Sequence, residues 1–388
     1  MAETADVVII GAGVIGASVA HHLATQKVGK VLLLEAQERP GLGSTRYATG
    51  GYRAQFSTAI NVKLSLLSRE KLRSFQEETG IDSGYRPSGY LFLARRPEQM
   101  EALRQAMNVQ RAAGLSEVRE VSVEEIHAIN PWVSTEDIVG GTFCPTDGFT
   151  RPLQIHEGYL RSAVRSGASL LCERQVIEIQ SDGGQRLRAV RTQRETIETR
   201  TVVNAAGAWA GEVAALAGVA LPVWPARRQV AVSVEQSVLP DTMPMTIDVE
   251  DGFHLRVRDG RVLLLWPAET PGRYPYDVSF YERWLEGLRT KMDRRVPVLR
   301  SVALDREACY CGLYEMSPDK HVVLGEAPRL KGFYLVNGSS GHGVMHAPIL
   351  GQLVAEMILF GQTRTLDVHA LRPTRFVESD LNPETGIL

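Results

Sequence analysis

The stretch from Asp6 to Glu35, DVVIIGAGVIGASVAHHLATQKVGKVLLLE, constrains the fold of this 388-residue chain more than any other. Its apolar run Val7 to Ile10 reads as a strand buried on both faces. Gly11-Ala-Gly13-Val14-Ile15-Gly16 follows, then a helix-length segment through Leu23, then a second apolar run, Val31 to Leu34. The three glycines serve separate purposes. Gly11 permits the tight turn, Gly13 lets backbone approach a pyrophosphate, and Gly16 lets the helix pack on the strand. The free amides at the helix start, with their partial positive charge, suit phosphate. Glu35, followed by Ala36, stands 19 residues after Gly16. An acid there accepts hydrogen bonds from a ribose hydroxyl and disfavours a 2′-phosphate. A glycine-rich turn alone is weak evidence, and a tight strand-to-helix turn without ligand is the alternative. Strand, helix, second strand and acid in register make the reading a dinucleotide site.

Composition narrows the partners. With 44% hydrophobic and 23% charged residues and a net charge of −2, nothing favours nucleic acid or an anionic membrane. Cys144, Cys172, Cys309 and Cys311 form no C-x-x-C pair and no zinc-type spacing, so free thiols and no metal site are expected. The first strand begins within about six residues of Met1, and no apolar run approaches the roughly 20 residues of a bilayer span. A soluble, cytoplasmic protein is the expectation.

Along the chain, Ala59 to Glu78 reads as one amphipathic helix, Tyr90 to Ala94 as a strand and Pro97 to Ala113 as a surface helix. Ser122 with Glu125 forms a capping box for a helix to Ile129. Val176 to Ile179 and Leu187 to Thr192 read as a hairpin around Asp182-Gly183-Gly184. From Leu221 to Leu324 the pattern is strand-like, with a helix at Val278 to Arg289. A strand at Phe333 to Val336, a glycine-rich loop and an apolar helix from Ala347 to Phe360 close the fold, and the tail after Val377 is expected to be loose. The simplest account is an α/β nucleotide-binding framework (residues 1–85, 150–220 and 325–377) carrying an inserted, mainly antiparallel sheet (86–149 and 221–324), α+β overall. Residues 378–388 form the tail.

Four segments in this order resemble one family. They are Gly11–Gly16, Val203-Asn-Ala205-Ala206-Gly207-Ala-Trp209, Tyr314-Glu-Met-Ser-Pro318-Asp319 and Gly338-Ser-Ser340-Gly341-His342-Gly343. The family is the FAD-dependent amino-acid and amine oxidoreductases, which include sarcosine oxidase, dimethylglycine dehydrogenase, glycine oxidase and D-amino-acid oxidase. The resemblance runs from about Asp6 to about Phe376. It implies a Rossmann-type FAD domain built from discontinuous segments, and a substrate sheet that roofs the isoalloxazine ring.

The resemblance also assigns residues. Gly43, Ser44, Thr45 and Arg46 lie where contacts to the FAD phosphates or ribityl chain are expected, with loop structure alone the alternative, and Val176, by its side chain only strand core, where a backbone contact to adenine is. Gly50 and Gly51 precede Arg53, the residue that matches a substrate-carboxylate arginine; a guanidinium fork suits that role. A surface or ion-paired arginine is the alternative. Gly341, His342 and Gly343, with Val344 and Met345 after them, would stabilise charge at the pyrimidine end of the ring, or His342 could merely structure the loop. His254 could orient the substrate amine or act as its base, or face solvent. Trp266 reads as pocket wall or core.

Three departures matter. Gly312 stands where some members carry a cysteine bound to FAD, and Pro152 where others carry a histidine bound to FMN, so one non-covalent FAD is implied. Met345 replaces a lysine that assists with substrate carboxylate, and the strand Arg261 to Trp266 lacks the lysine that helps oxidases activate oxygen. The implied activity is oxidation of a C–N bond in a small amino acid or amine (sarcosine, dimethylglycine or proline-like) by hydride transfer to flavin N5, giving an imine that hydrolyses. A primary amino acid or 2-hydroxy acid is the second reading, and a flavin-containing assembly protein of little turnover the third. An electron-acceptor protein or partner subunit fits the missing oxygen-activating lysine.

Overall fold

Val7–Ile10, buried throughout, lies inside a six-stranded sheet. The computed structural model describes residues 3–385. Across the sheet the strands are Val323–Glu326, Phe333–Asn337, Val202–Asn204, Val7–Ile10, Val31–Leu34 and Ser169–Leu171. All neighbours run parallel except the Val323–Glu326 edge strand. A parallel sheet needs cover on its faces. The Val14–Thr25 helix supplies it, packed between the helices Pro152–Arg165 and Gly343–Phe360. Close approach is possible because Gly351 faces Ser18, whose Oγ would lie 2.2 Å from any added Cβ.

A second sheet of eight strands is ordered Tyr310–Met316, Trp224–Val232, Arg261–Leu265, His254–Arg258, Met245–Asp248, Tyr90–Ala94, Gly140–Cys144 and Arg119–Val121. It is antiparallel except at one seam, where Met245–Asp248 runs parallel to Tyr90–Ala94. That seam joins the two stretches that leave the nucleotide-binding framework at different points in the chain. The architecture is therefore a Rossmann-type α/β framework with an inserted, mainly antiparallel sheet. The hairpin Val176–Asp182 and Arg186–Thr192 belongs to a further four-stranded sheet with Thr196–Glu198 and Glu3–Thr4.

Several elements differ from expectation. The helix placed at Val278 to Arg289 runs instead from Trp284 to Arg295. Residues 277–281 are held irregular because Arg227 Nη2 donates to Ser279 O (2.5 Å) and Gln229 Nε2 to Tyr281 O (3.2 Å). The helix Ala59 to Glu78 breaks into Ala59–Arg73 and Phe75–Thr79, with Ser74 Oγ donating back to Glu70 O at 3.2 Å. Such side-chain bonds compete with the helix ladder. The last helix starts at Gly343, not Ala347, and carries Pro348 inside it. By length and composition this 18-residue helix could cross a membrane, but 61% of it is buried within the fold.

The tail, of which residues 386–388 lie outside the described ones, is anchored at Glu384. Glu384 is only 2% exposed, and its carboxylate accepts from Ser57 N (2.8 Å), Thr58 Oγ1 (3.0 Å) and Asn61 Nδ2 (3.3 Å). Polar composition suggested solvent; a pocket of donors at the start of the Ala59–Arg73 helix decided otherwise.

Sequence spacing also missed a cluster of His21, His22 and Glu78, whose ligand-type atoms lie within 4.8 Å of one another. His21 Nε2 bonds Glu78 Oε1 at 2.7 Å, and that bond holds the Glu78 carboxyl down at about 2. A depressed carboxyl adds stability above its unfolded value, and the gain is lost as pH falls through the folded one. The melting temperature of wild type should therefore exceed that of Glu78→Gln at about pH 6, and the gap should close as pH falls from about 4.5 towards 2. Thermal denaturation across that range checks it; a pH-independent gap would contradict the account.

Candidate active site

A cavity of about 910 Å³ runs from the Gly11 turn to the underside of the eight-stranded sheet. At one end its wall is Gly11, Gly13, Val14, Ile15, Glu35, Ala36 and, from the hairpin, Val176. Gly11 has φ +102°, and a Cβ there would lie 2.5 Å from Ala205 O. Gly16 is off the wall; a Cβ on it would lie 1.9 Å from Gly11 O, so it serves helix packing.

Three side chains brace this turn. Glu35 Oε2 accepts from Ala12 N (3.1 Å), Thr45 Oγ1 accepts from Val14 N (3.0 Å), and His156 Nε2 donates to Ala12 O (2.9 Å). The Val14 amide, read above as open to phosphate, is thus already satisfied by Thr45. His156 was not foreseen, because nothing in its local sequence marks it.

The middle of the cavity is walled by Gly43, Ser44 and Thr45 at the start of a one-turn helix, by Gly50 and Gly51, and by Ala205, Ala206, Gly207 and Trp209. Trp209 stacks on Tyr276, ring centroids 5.3 Å apart. Arg46 does not join them: it is exposed, with its guanidinium over Tyr47.

At the far end stand Gly312, Tyr314, Ser340, Gly341, His342, Gly343, Val344 and Met345, facing Arg53, His254 and Trp266. Gly338 lies behind the wall against Ser317 and Val223. Glu315 lines this end, and its Oε2 is buried without a hydrogen-bond partner among the described residues. Burial pushes that carboxyl up. A phosphate-type turn at one end, an acid for ribose, and a polar loop with one unsatisfied buried carboxyl oxygen at the other fit an extended FAD.

Comparison with known proteins agrees. Residues 6–357 match the family described as DAO, FAD dependent oxidoreductase. The chain belongs to this family. It is an FAD-dependent oxidoreductase by that membership. It is 29% identical to mouse (Mus musculus) mitochondrial sarcosine dehydrogenase over 97% of its own length, but spans only 42% of that relative. It is 30% identical to the FAD-dependent oxidoreductase domain-containing protein 1 of Bos taurus, over 100% of this chain and 87% of that one. Among solved structures, L-proline dehydrogenase from P. horikoshii superposes with TM-score 0.90 at 28% identity, covering 98% of this chain and 100% of that one.

FAD would be held by the turn and loops just described. Among the described residues no cysteine lines the cavity; Cys311, one residue from Gly312, is buried, with its Sγ 3.6 Å from Gly312 O. Acid precipitation of the protein should leave a colourless pellet and yellow supernatant, and a yellow pellet would overturn non-covalent binding.

Arg53 is 4% exposed, not a surface residue. Its Nη1 donates to Gln55 O (2.6 Å) and its Nη2 to His342 Nε2 (3.2 Å), while the guanidinium lies 4.1 Å from the Phe56 ring centroid. Guanidinium only donates, so His342 Nε2 accepts and its proton sits on Nδ1. Burial, with Arg53 next, holds His342 well below the usual histidine range. The imidazole is neutral and also packs edge-on against Phe56. The structure thus sets the His342 side chain against Arg53, Phe56 and His346.

His254 faces the cavity, not solvent. Its Nδ1 donates to Gly252 O at 2.7 Å, which leaves Nε2 as an acceptor, and burial lowers its pKa to about 4. Trp266 touches both settings: it lines the cavity and stacks on Trp284 at 6.5 Å. Met345 is buried on the wall, in the first turn of the last helix.

Further residues escaped sequence reasoning. Asp147 takes the Ala54 amide (2.8 Å) and the Gln55 side-chain Nε2 (3.1 Å), tying down the two residues that follow Arg53. Burial raises it to about 6. Tyr314 shares a sheet face with Gly312, a period-two signal the sequence did contain. Lys320 lines the cavity from a turn, where no periodicity exists to reveal it.

Proposed function

We propose that this chain oxidises the C–N bond of a small amino acid held by its carboxylate, with a secondary or tertiary amine as the preferred centre. One observation carries the reading: a buried, oriented guanidinium, Arg53, lining the same end of the cavity as two neutral histidines, His342 and His254. The names of relatives support it, since they include sarcosine, dimethylglycine and L-proline dehydrogenases and glycine oxidase.

Bound FAD would supply the hydride acceptor. Arg53 pairs with the substrate carboxylate, and its Nη1 and Nη2 contacts fix the fork before substrate arrives. His254 Nε2, an acceptor by virtue of the Gly252 contact, takes a hydrogen bond from the N–H of a secondary amine and sets the nitrogen lone pair in line with the C–H bond that gives up hydride. Val230, Ile247, Leu265 and Met345 on the wall exclude water. The resulting imine is hydrolysed by solvent.

The test is anaerobic flavin bleaching with sarcosine, dimethylglycine, L-proline, glycine and L-lactate. Bleaching by the secondary or tertiary amines first supports the reading. Preference for glycine or lactate replaces it with the primary amino-acid or hydroxy-acid reading. No bleaching by any of them leaves the low-turnover assembly role.

A further inference from the structure

The family lysine replaced by Met345 leaves Arg53 as the only cation that sequence reasoning could offer to a substrate carboxylate. The fold brings another. Lys320 follows Ser317-Pro318-Asp319, half-buried, and lines the same cavity as Arg53. It lies within electrostatic reach of Glu384, Arg53 and Arg228: burial lowers its pKa, Glu384 opposes that shift, and the two arginines add to it.

The turn that carries Lys320 is held from several sides. Asp319 receives Arg375 Nε (2.8 Å) and Nη2 (3.0 Å), both side chains being fully buried. His321 Nδ1 donates to Asp319 O (2.8 Å) and Nε2 meets Thr58 Oγ1 (2.9 Å). From the C-terminal segment, Glu384 N donates to the same Asp319 O at 3.0 Å. Lys320 itself has φ +59°, a left-handed backbone that costs a lysine about 1 kcal/mol or more and persists only where surroundings impose it. Glycine or asparagine would meet that conformation more cheaply. The long cation accepted here at that cost lines the cavity that also holds Arg53.

We propose that Lys320 is the second cation of the substrate-carboxylate site, supplied by the Ser317–His321 turn in place of the last helix. The inference rests on the proposed carboxylate-bearing substrate. It makes the C-terminal segment, which pins the turn through Glu384, a supporting part of that site.

The experiment uses holoenzyme and pyrrole-2-carboxylate, a planar carboxylate that cannot be oxidised as an amine, with pyrrole as the carboxylate-free control. Binding is read from the flavin visible spectrum and from the shift in melting temperature. Lys320→Met should raise the Kd for pyrrole-2-carboxylate, and the KM of whichever amino acid bleaches the flavin, by roughly 10- to 100-fold. Most of the loss should fall on KM rather than on the limiting reduction rate. Lys320→Arg should recover most of the binding, which a merely structural defect would not allow. Wild-type affinity in Lys320→Met, or an equal loss in Lys320→Arg, overturns the inference while amino-acid oxidation stands. If no amino acid bleaches wild type and pyrrole-2-carboxylate does not bind it, the proposed function fails and the inference with it.

Discussion

Gly11→Val should give protein that folds but purifies without flavin. Gly11 has φ +102°, which a β-branched residue avoids, and its added Cβ would lie 2.5 Å from Ala205 O and 2.9 Å from Ala205 C. Both obstacles are backbone atoms, so neither can swing aside. Relief requires the turn to move off the Val202–Asn204 strand, and the cavity wall moves with it. We expect FAD affinity to fall by at least about 100-fold. Far-UV dichroism and the melting temperature distinguish loss of cofactor from loss of fold, and Gly13→Ala provides the milder case, its Cβ meeting only Thr45 Oγ1 at 3.3 Å. A yellow, stoichiometrically loaded Gly11→Val protein would refute this account of the turn.

Arg53→Met should lower kcat/KM for the amino-acid substrate by about 100- to 1,000-fold, equivalent to about 3–4 kcal/mol. Methionine keeps the apolar contact with Phe56 but removes the donors to Gln55 O and His342 Nε2. Flavin content should not change, because Arg53 lies at the substrate end of the cavity. Arg53→Lys should recover only part of the loss, since an ammonium cannot span the carboxylate and both fixed acceptors with one planar fork. Unchanged reduction kinetics in Arg53→Met would remove this residue from the site.

Most of the cofactor-binding side of the molecule was legible in the sequence because it is made of local features. The Val7–Ile10 strand, the Gly11 turn, the Val14–Thr25 helix and Glu35 are contiguous, and their periodicities follow from backbone geometry. The Ser122–Glu125 capping box is of the same kind: donor and acceptor are three residues apart, and the helix formed where they placed it. The helix at Val278 to Arg289 failed for the opposite reason. Its register was set by Arg227 and Gln229, some fifty residues earlier, on a neighbouring strand.

The substrate side was harder to read because its charges are brought together across the chain. Arg53 meets His342, 289 positions away, and Asp147 steadies the Arg53 loop from 93 positions away. Glu384 was assigned to a loose tail on polarity alone, yet it is buried against Ser57, Thr58 and Asn61. Lys320 sits in a turn, and turns carry no period that tells which way a side chain leads.

By itself the sequence pointed to a dinucleotide site at the Gly11–Gly16 turn, and, with its distant glycine loops, to a framework of the FAD-binding type. Those outcomes depend on short-range sterics: which residues tolerate positive φ, and which lack a Cβ where backbones meet. Tertiary structure decided which cations, acids and histidines share the far end of the cavity, and which tautomers they hold. Burial and hydrogen-bond partners set both, and these exist only after distant segments have packed together.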